Sequence, residues 1–173
     1  MSPVFGTVPV EVRAVRDLSV LAPKFRAALE RGIARLMAMG FDPVVVETLR
    51  THDRQEYLYG FGRDYDDGRG RVTFSRDADE TWHGYGLAAD VIPRKDGYTA
   101  PRWVWDAYGR AWQAEGLRWG ADWDHDGSTK DETFLDFPHV QWGPPMRRSP
   151  SPRAARLLAT GGPPAVWREV GAI

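Results

Sequence analysis

Cysteine is absent from the 173 residues, which excludes disulfides, thiolate metal sites and a cysteine nucleophile. Long apolar runs are absent too. No stretch approaches the roughly 18 consecutive apolar residues of a membrane span, so no membrane insertion is expected. Met1 to Val12 offers neither a basic n-region nor an apolar h-region, so no secretory signal is expected there. Neither sign of charge dominates, with 23 Lys and Arg against 24 Asp and Glu. A broad basic face is therefore not expected, and nucleic acid is not an expected partner. No internal repeat is visible, and nothing marks a second domain.

Aromatic residues are plentiful. They make up 12% of the chain and include eight Trp, which calls for large buried or cleft-lining surfaces. The length suits one domain with a sizeable core. Residues 1–18 read as extended. Apolar residues Phe25, Ala28, Leu29, Ile33, Leu36 and Met37 recur at three- and four-residue steps, which predicts a helix from Pro23 to Met39. Ser19 is its expected cap and Gly40 its stop. Val44–Thr48 reads as a β-branched strand, followed by a short helix around Arg54–Tyr59 that Thr51 or Asp53 can cap. Residues 60–80 form a long loop rich in Gly, Asp and Arg, of the kind that often rims a functional cleft. Strands are expected over 87–92 and 138–142. Pro101–Glu115 reads as a helix whose buried face runs through Trp103, Ala107, Ala111 and Ala114, extended by Trp112. A Pro-rich stretch at 144–152 leads to a helix near 153–160 and another near 165–170.

The chemistry concentrates in two places. Thr81–Asp90 reads T-W-H-G-Y-G-L-A-A-D, and Asp90 lies inside an apolar run where a carboxylate is costly unless its charge is compensated. A divalent metal compensates it. The second place is Asp136-Phe137-Pro138-His139. Residues three apart on a straight strand face opposite ways, but Pro138 makes a regular ladder unfavourable and a bend can bring both side chains into one cleft. His83, Asp90 and His139 then form a set of two imidazoles and one carboxylate, enough for zinc with an open fourth position. Asp136 is left free as a base.

These residues resemble the zinc peptidases that cut bacterial peptidoglycan stem peptides at D-amino-acid linkages. That family carries S-x-H-x-x-G-x-A-x-D followed by a carboxylate three residues before a second His. Thr81-Trp82-His83-Gly84-Tyr85-Gly86-Leu87-Ala88-Ala89-Asp90 and Asp136–His139 match it, with Thr81 in place of the usual Ser. Thr48–Thr51, Arg54-Gln55 and Leu58–Arg63 match its endopeptidase-like branch, which often carries Asp in a D-x-P-H setting. The resemblance spans about residues 25–143. It implies one Zn2+ per chain on His83, Asp90 and His139, Asp136 as general base and acid, and Arg50 stabilising the oxyanion. It implies a substrate cleft touching Thr81, Gln55, Trp82 and Tyr85.

The expected fold is α+β: a single domain, with a small mainly antiparallel sheet, the zinc site at its rim and helices packed on one side. The peptidase core is expected over about 20–143, with 144–173 packed on it. The expected function is L-alanyl-D-glutamate endopeptidase activity of endolysin type. The alternatives are a D,D-carboxypeptidase or dipeptidase on the same scaffold, or a zinc-bearing cell-wall-binding module without catalysis. The expected form is a monomer made in the cytoplasm that reaches the wall after release. Asp122, Asp124 and Asp126 also begin a D-x-D-x-D-G pattern, for which Ca2+ is a second expectation. Thr133 stands where a calcium loop needs a bidentate Glu, so a solvated acidic turn is the competing expectation.

Overall fold

In the computed structural model, residues 9–143 and 147–173 are described. The first eight residues of the expected extended start, and 144–146 of the Pro-rich connection, lie outside them. The elements run in order α1 (Pro23–Ala38), β1 (Pro43–Glu47), α2 (His52–Gly60), β2 (Ala88–Pro93), α3 (Arg102–Ala114), β3 (Arg118–Trp119), β4 (His139–Gln141) and α4 (Pro152–Glu169), with short 3-10 turns between them. The strands form one antiparallel sheet in the order β1-β2-β4-β3. The α+β expectation therefore holds.

Cross-strand partners share a face of a sheet, and this sheet separates chemistry from core by that rule. Glu47 pairs with Asp90, and Asp90 with His139, giving one polar row across three strands. The adjacent row, Ala89–Val140–Trp119, points the other way and is buried. Helices α1 and α3 pack together against that apolar side, where Phe25, Leu29 and Leu36 meet Tyr108, Ala111 and Trp112 in one cluster. A bulge between Val45 and Glu47 lets Glu47 join the polar row.

Several local expectations shift. The N-cap of α1 is Ala22, not Ser19; Ser19 donates instead to Asp17 in a 3-10 turn over Leu18–Val20. The segment expected to be extended also contains a 3-10 turn at Val10–Val12. Met37, placed on the buried stripe of α1, is 62% exposed. The buried face of α3 runs through Val104, Trp105, Ala107, Tyr108, Ala111 and Trp112, leaving Trp103 and Ala114 exposed. Ala107, Ala111 and Trp112 lie on the buried face as expected, while Trp105, about 200° around the axis from Trp103, takes the inward place expected of Trp103. Thr51 does cap α2, accepting from Arg54 N. In α4 the backbone breaks at Gly162, at φ 65° and ψ −175°, before Pro163 and Pro164. Two helical pieces result, and Ala154 and Val166 pack into the core.

Candidate metal centre

Each proposed ligand reaches the site by a different local device. His83 rides on a 3-10 turn, Trp82–Tyr85, seated backbone to backbone on the preceding turn Ala78–Glu80. Gly84 permits that approach, because a Cβ there would overlap the Ala78 carbonyl. Gly86 ends the turn in left-handed geometry at φ 66°, after which the chain enters β2 and delivers Asp90. His139 opens β4 from a turn closed by its own N–H donating to the Asp136 carbonyl at 3.1 Å. The bend expected at Pro138 is thus present. Asp136 N donates in turn to Gly120 O, and Gly120 N to His139 O.

The three side chains converge. His83 Nε2 and His139 Nδ1 each lie 3.4 Å from Asp90 Oδ1 and 3.2 Å from one another. The remaining ring nitrogens are committed elsewhere. His83 Nδ1 lies 2.8 Å from the Thr48 carbonyl, which accepts only, so Nδ1 carries the proton. Thr48 is itself anchored through its N–H and hydroxyl to Val15 O, and through the hydroxyl to Asp17 O. His139 Nε2 sits 3.0 Å from Gln141 Oε1, and Gln141 Nε2 donates to Arg147 O at 2.9 Å. Gln141 is fully buried and its amide is oriented by that second bond, so its oxygen accepts and His139 Nε2 carries the proton. With both imidazoles neutral, two lone pairs and a carboxylate oxygen face one point with no hydrogen between them. This donor set fits zinc, and the oriented second ring nitrogens are the support metal-ligating histidines ordinarily have.

Asp90 Oδ2 accepts from Arg50 Nη2 at 2.7 Å. Burial opposes ionisation of Asp90, but with the imidazoles protonated the His83 charge, the Arg50 charge and the hydrogen bonds from both histidines outweigh it and hold its pKa well below the usual carboxylate value. Arg50 also has Nε 3.3 Å from Glu47 Oε2, a charge contact without hydrogen-bond alignment. Burial works against its charge as well, yet Asp90, Glu47 and Asp136 raise its pKa above the ordinary guanidinium value. Arg54 completes the cluster, donating to Glu47 at 2.7 Å. Burial pushes the Asp136 carboxyl above the ordinary Asp value, with Asp90 adding to the rise and His139, Arg50 and His83 opposing it. His139 is raised too: burial disfavours its charge, but the bond to Asp90 and the charges of Asp136 and Asp90 prevail.

These groups line a cleft of about 800 Å³, with Thr81, Trp82, Tyr98, Trp123, Phe134 and much of the segment 69–75 on its walls. The long loop expected from its composition is therefore part of the cleft. Of the proposed substrate contacts, Thr81 and Trp82 line the cleft. Gln55 and Tyr85 do not. Gln55 is fully buried, donating to Thr73 Oγ1 and Ser75 O and thereby pinning the loop. Tyr85 is fully buried with its hydroxyl on Asp79 O; burial raises its pKa to about 12. Gln141 was not evident as a site residue. Its trace in the sequence is a polar side chain two positions beyond His139 on a strand, where i and i+2 share a face.

Asp122, Asp124 and Asp126 each bring an oxygen to within 4.8 Å of the others, but the loop uses those carboxylates internally. Asp122 accepts from Asp126 N, Gly127 N and the Gln113 amide, Asp124 from Asp126 N, and Asp126 from Ser128 N. Glu132 accepts from Trp123 N and Asp124 N. This is a self-capped acidic turn, and the calcium expectation gains no support.

No protein-family model matches the chain, and no curated protein matches it. Among solved structures the chain shares its fold with an L-Ala D-Glu endopeptidase. The L-Ala D-Glu endopeptidase ChiX of Serratia marcescens superimposes with a TM-score of 0.52 at 19% identity, over 78% of this chain and 90% of that one. An LD-carboxypeptidase, LdcB, aligns at 14% identity and a TM-score of 0.49, over 80% of this chain and 63% of that one. A vancomycin-resistance D,D-pentapeptidase in complex with Zn(II) aligns at 18% identity and 0.45, over 80% and 77%.

Proposed function

We propose that the protein is a zinc-dependent peptidase of peptidoglycan stem peptides, acting as an L-alanyl-D-glutamate endopeptidase on the cell wall. The observation that carries this reading is the convergence of His83 Nε2, His139 Nδ1 and Asp90 Oδ1 beside Asp136 on the floor of an open cleft. A structural zinc site is ordinarily closed by four protein ligands, whereas three ligands beside a spare carboxylate suit hydrolysis.

Zinc held there supplies Lewis acidity and lowers the pKa of water at the site. The chain's own groups do the rest. Thr48 and Gln141 fix the two imidazoles in the tautomers that aim a lone pair inward. Arg50 holds Asp90 ionised and adds fixed positive charge to the cleft wall, where charge develops on an amide oxygen under attack. Asp136 takes a proton from the attacking water and returns it to the leaving amine. Its raised pKa suits both directions of transfer better than that of an ordinary Asp.

Asp136→Asn is expected to keep about one zinc per chain and to lose at least about 100-fold in peptidoglycan hydrolysis. Metal analysis and mass spectrometry of digested muropeptides measure the two quantities. A new N-terminal D-glutamate identifies endopeptidase cleavage, and loss of terminal D-Ala identifies carboxypeptidase cleavage instead. Full activity in Asp136→Asn removes the base assignment.

A further inference from the structure

The cleft carries two cations that form no ion pair with the acids of the described residues. Five arginines and four carboxylates line it. Arg50 and Arg54 are matched by Glu47 and Asp90, and Arg69 by Asp67 just outside. Arg71 and Arg148 have no ion pair among the described residues, and the residues outside them contain no Asp or Glu. Among the described residues, Glu80 and Asp136 are the cleft acids without an ion-pair partner.

Arg148 is also placed in a particular way. Its guanidinium lies 4.3 Å from the Phe134 ring centroid and 5.1 Å from that of Trp123. The platform is braced by several contacts. Trp123 and Phe134 stack at 21°, Trp123 Nε1 donates to Phe134 O, and Phe74 meets Phe134 edge-on from the cleft loop. On its other side Trp123 packs 5.5 Å from the His139 ring. A guanidinium held by its face on aromatic rings keeps its in-plane N–H groups free, and that fork fits a carboxylate in two parallel hydrogen bonds.

We propose that Arg148, stacked on Trp123 and Phe134 beside the metal ligands and assisted by Arg71, is the specificity residue that reads a free carboxylate next to the bond being cut. This rests on the peptidase reading above and narrows it. The substrate is a stem peptide whose D-glutamate keeps its α-carboxylate free, and one amidated there is a poor substrate. Charge-assisted hydrogen bonds of this kind predict a preference of about 10- to 100-fold.

The test is calorimetric titration of the zinc-loaded protein with two unreactive reduced-amide analogues of L-alanyl-D-glutamate, one with the α-carboxylate free and one amidated. Peptidoglycan cleavage is followed in parallel. The expected result is at least about tenfold tighter binding of the acid form. Arg148→Gln should bring the two ligands within about threefold, Arg148→Lys should keep part of the preference, and Arg71→Gln should lower it less. Equal binding of the two forms by the unaltered protein, no binding of either, or a preference unchanged in Arg148→Gln overturns the proposal. Cleavage with no such preference removes this proposal alone. A preference that depends on Arg148 without cleavage removes the peptidase reading and keeps the carboxylate site.

Discussion

Gln141 gives the sharpest test of how the metal centre is built, because it touches neither metal nor substrate. Its amide does two things at once: Oε1 receives the His139 ring N–H and Nε2 binds the Arg147 carbonyl. Gln141→Leu keeps the volume and removes both bonds. The His139 N–H then loses its buried partner, at about 1–3 kcal/mol, while the Arg147 carbonyl keeps the bond from Trp82 Nε1. Loss of the outer hydrogen bond also frees the ring to rotate and to take the other tautomer. Changes of that kind lower metal affinity by about 10- to 100-fold, or roughly 1.4–2.7 kcal/mol. Gln141→Glu separates the two roles. A carboxylate still accepts from His139 and makes the ring a stronger donor, but it cannot donate to Arg147 O. Zinc affinity should hold or rise while thermal stability falls. Competition against a chromophoric chelator reads the affinity, and thermal denaturation with the chelator in excess reads the stability. Equal zinc affinity in Gln141→Leu and the unaltered protein would refute the idea that Gln141 sets the tautomer of His139.

Two further expectations concern the scaffold. Arg31 and Arg35, one turn apart on α1, both grip Glu115 at the end of α3, and those bonds hold the Glu115 pKa below its ordinary value. A carboxylate depressed in the folded state stabilises above its unfolded pKa, about 4.3, and loses that contribution as pH falls through the folded value. Glu115→Gln should therefore lower Tm near pH 7 and flatten the acid side of the Tm–pH curve, by about 1 kcal/mol or less per exposed pair; an unchanged slope below pH 5 counts against it. Gly32 lies where a Cβ would come within 2.6 Å of the fully buried Trp112 ring. Gly32→Ala should gain about 1 kcal/mol of helix propensity and lose about 1–3 kcal/mol to overpacking, for a net fall in denaturant midpoint. A rise would mean that α1 and α3 can separate freely.

The clustering of His83, Asp90 and His139 was legible because they lie in two short segments whose turn chemistry is visible: Gly84 and Gly86 on one side of β2, and Pro138 before β4. Strands β1, β2 and β4 were legible from their apolar runs, whereas the two-residue β3 was not expected. What escaped was direction. Gln55 and Tyr85 sit beside the motif in sequence but turn inward, because a helix and a 3-10 turn rotate successive side chains around an axis and only packing decides which face is covered. The same ambiguity set Trp105, not Trp103, on the buried face of α3. The acidic loop shows another limit. D-x-D-x-D-G describes carboxylates gathered by a tight turn, whether they hold an ion or their own backbone N–H groups. Arg148 lay beyond the span of the motif, and its aromatic support comes from residues distant in sequence.

The polar row Glu47–Asp90–His139 also bears on how the chain assembles. His83 and His139 are 56 positions apart, and nothing local brings them together; only the pairing of β2 with β4 does so. A metal bound there acts as a long-range crosslink available to the folded chain and denied to the unfolded one, stabilising by mass action as zinc concentration exceeds the dissociation constant. The apolar row on the reverse of the same strands requires no metal. One face of this sheet thus fixes the fold, and the other, on the zinc reading proposed above, would make the pairing of its central strands responsive to zinc supply.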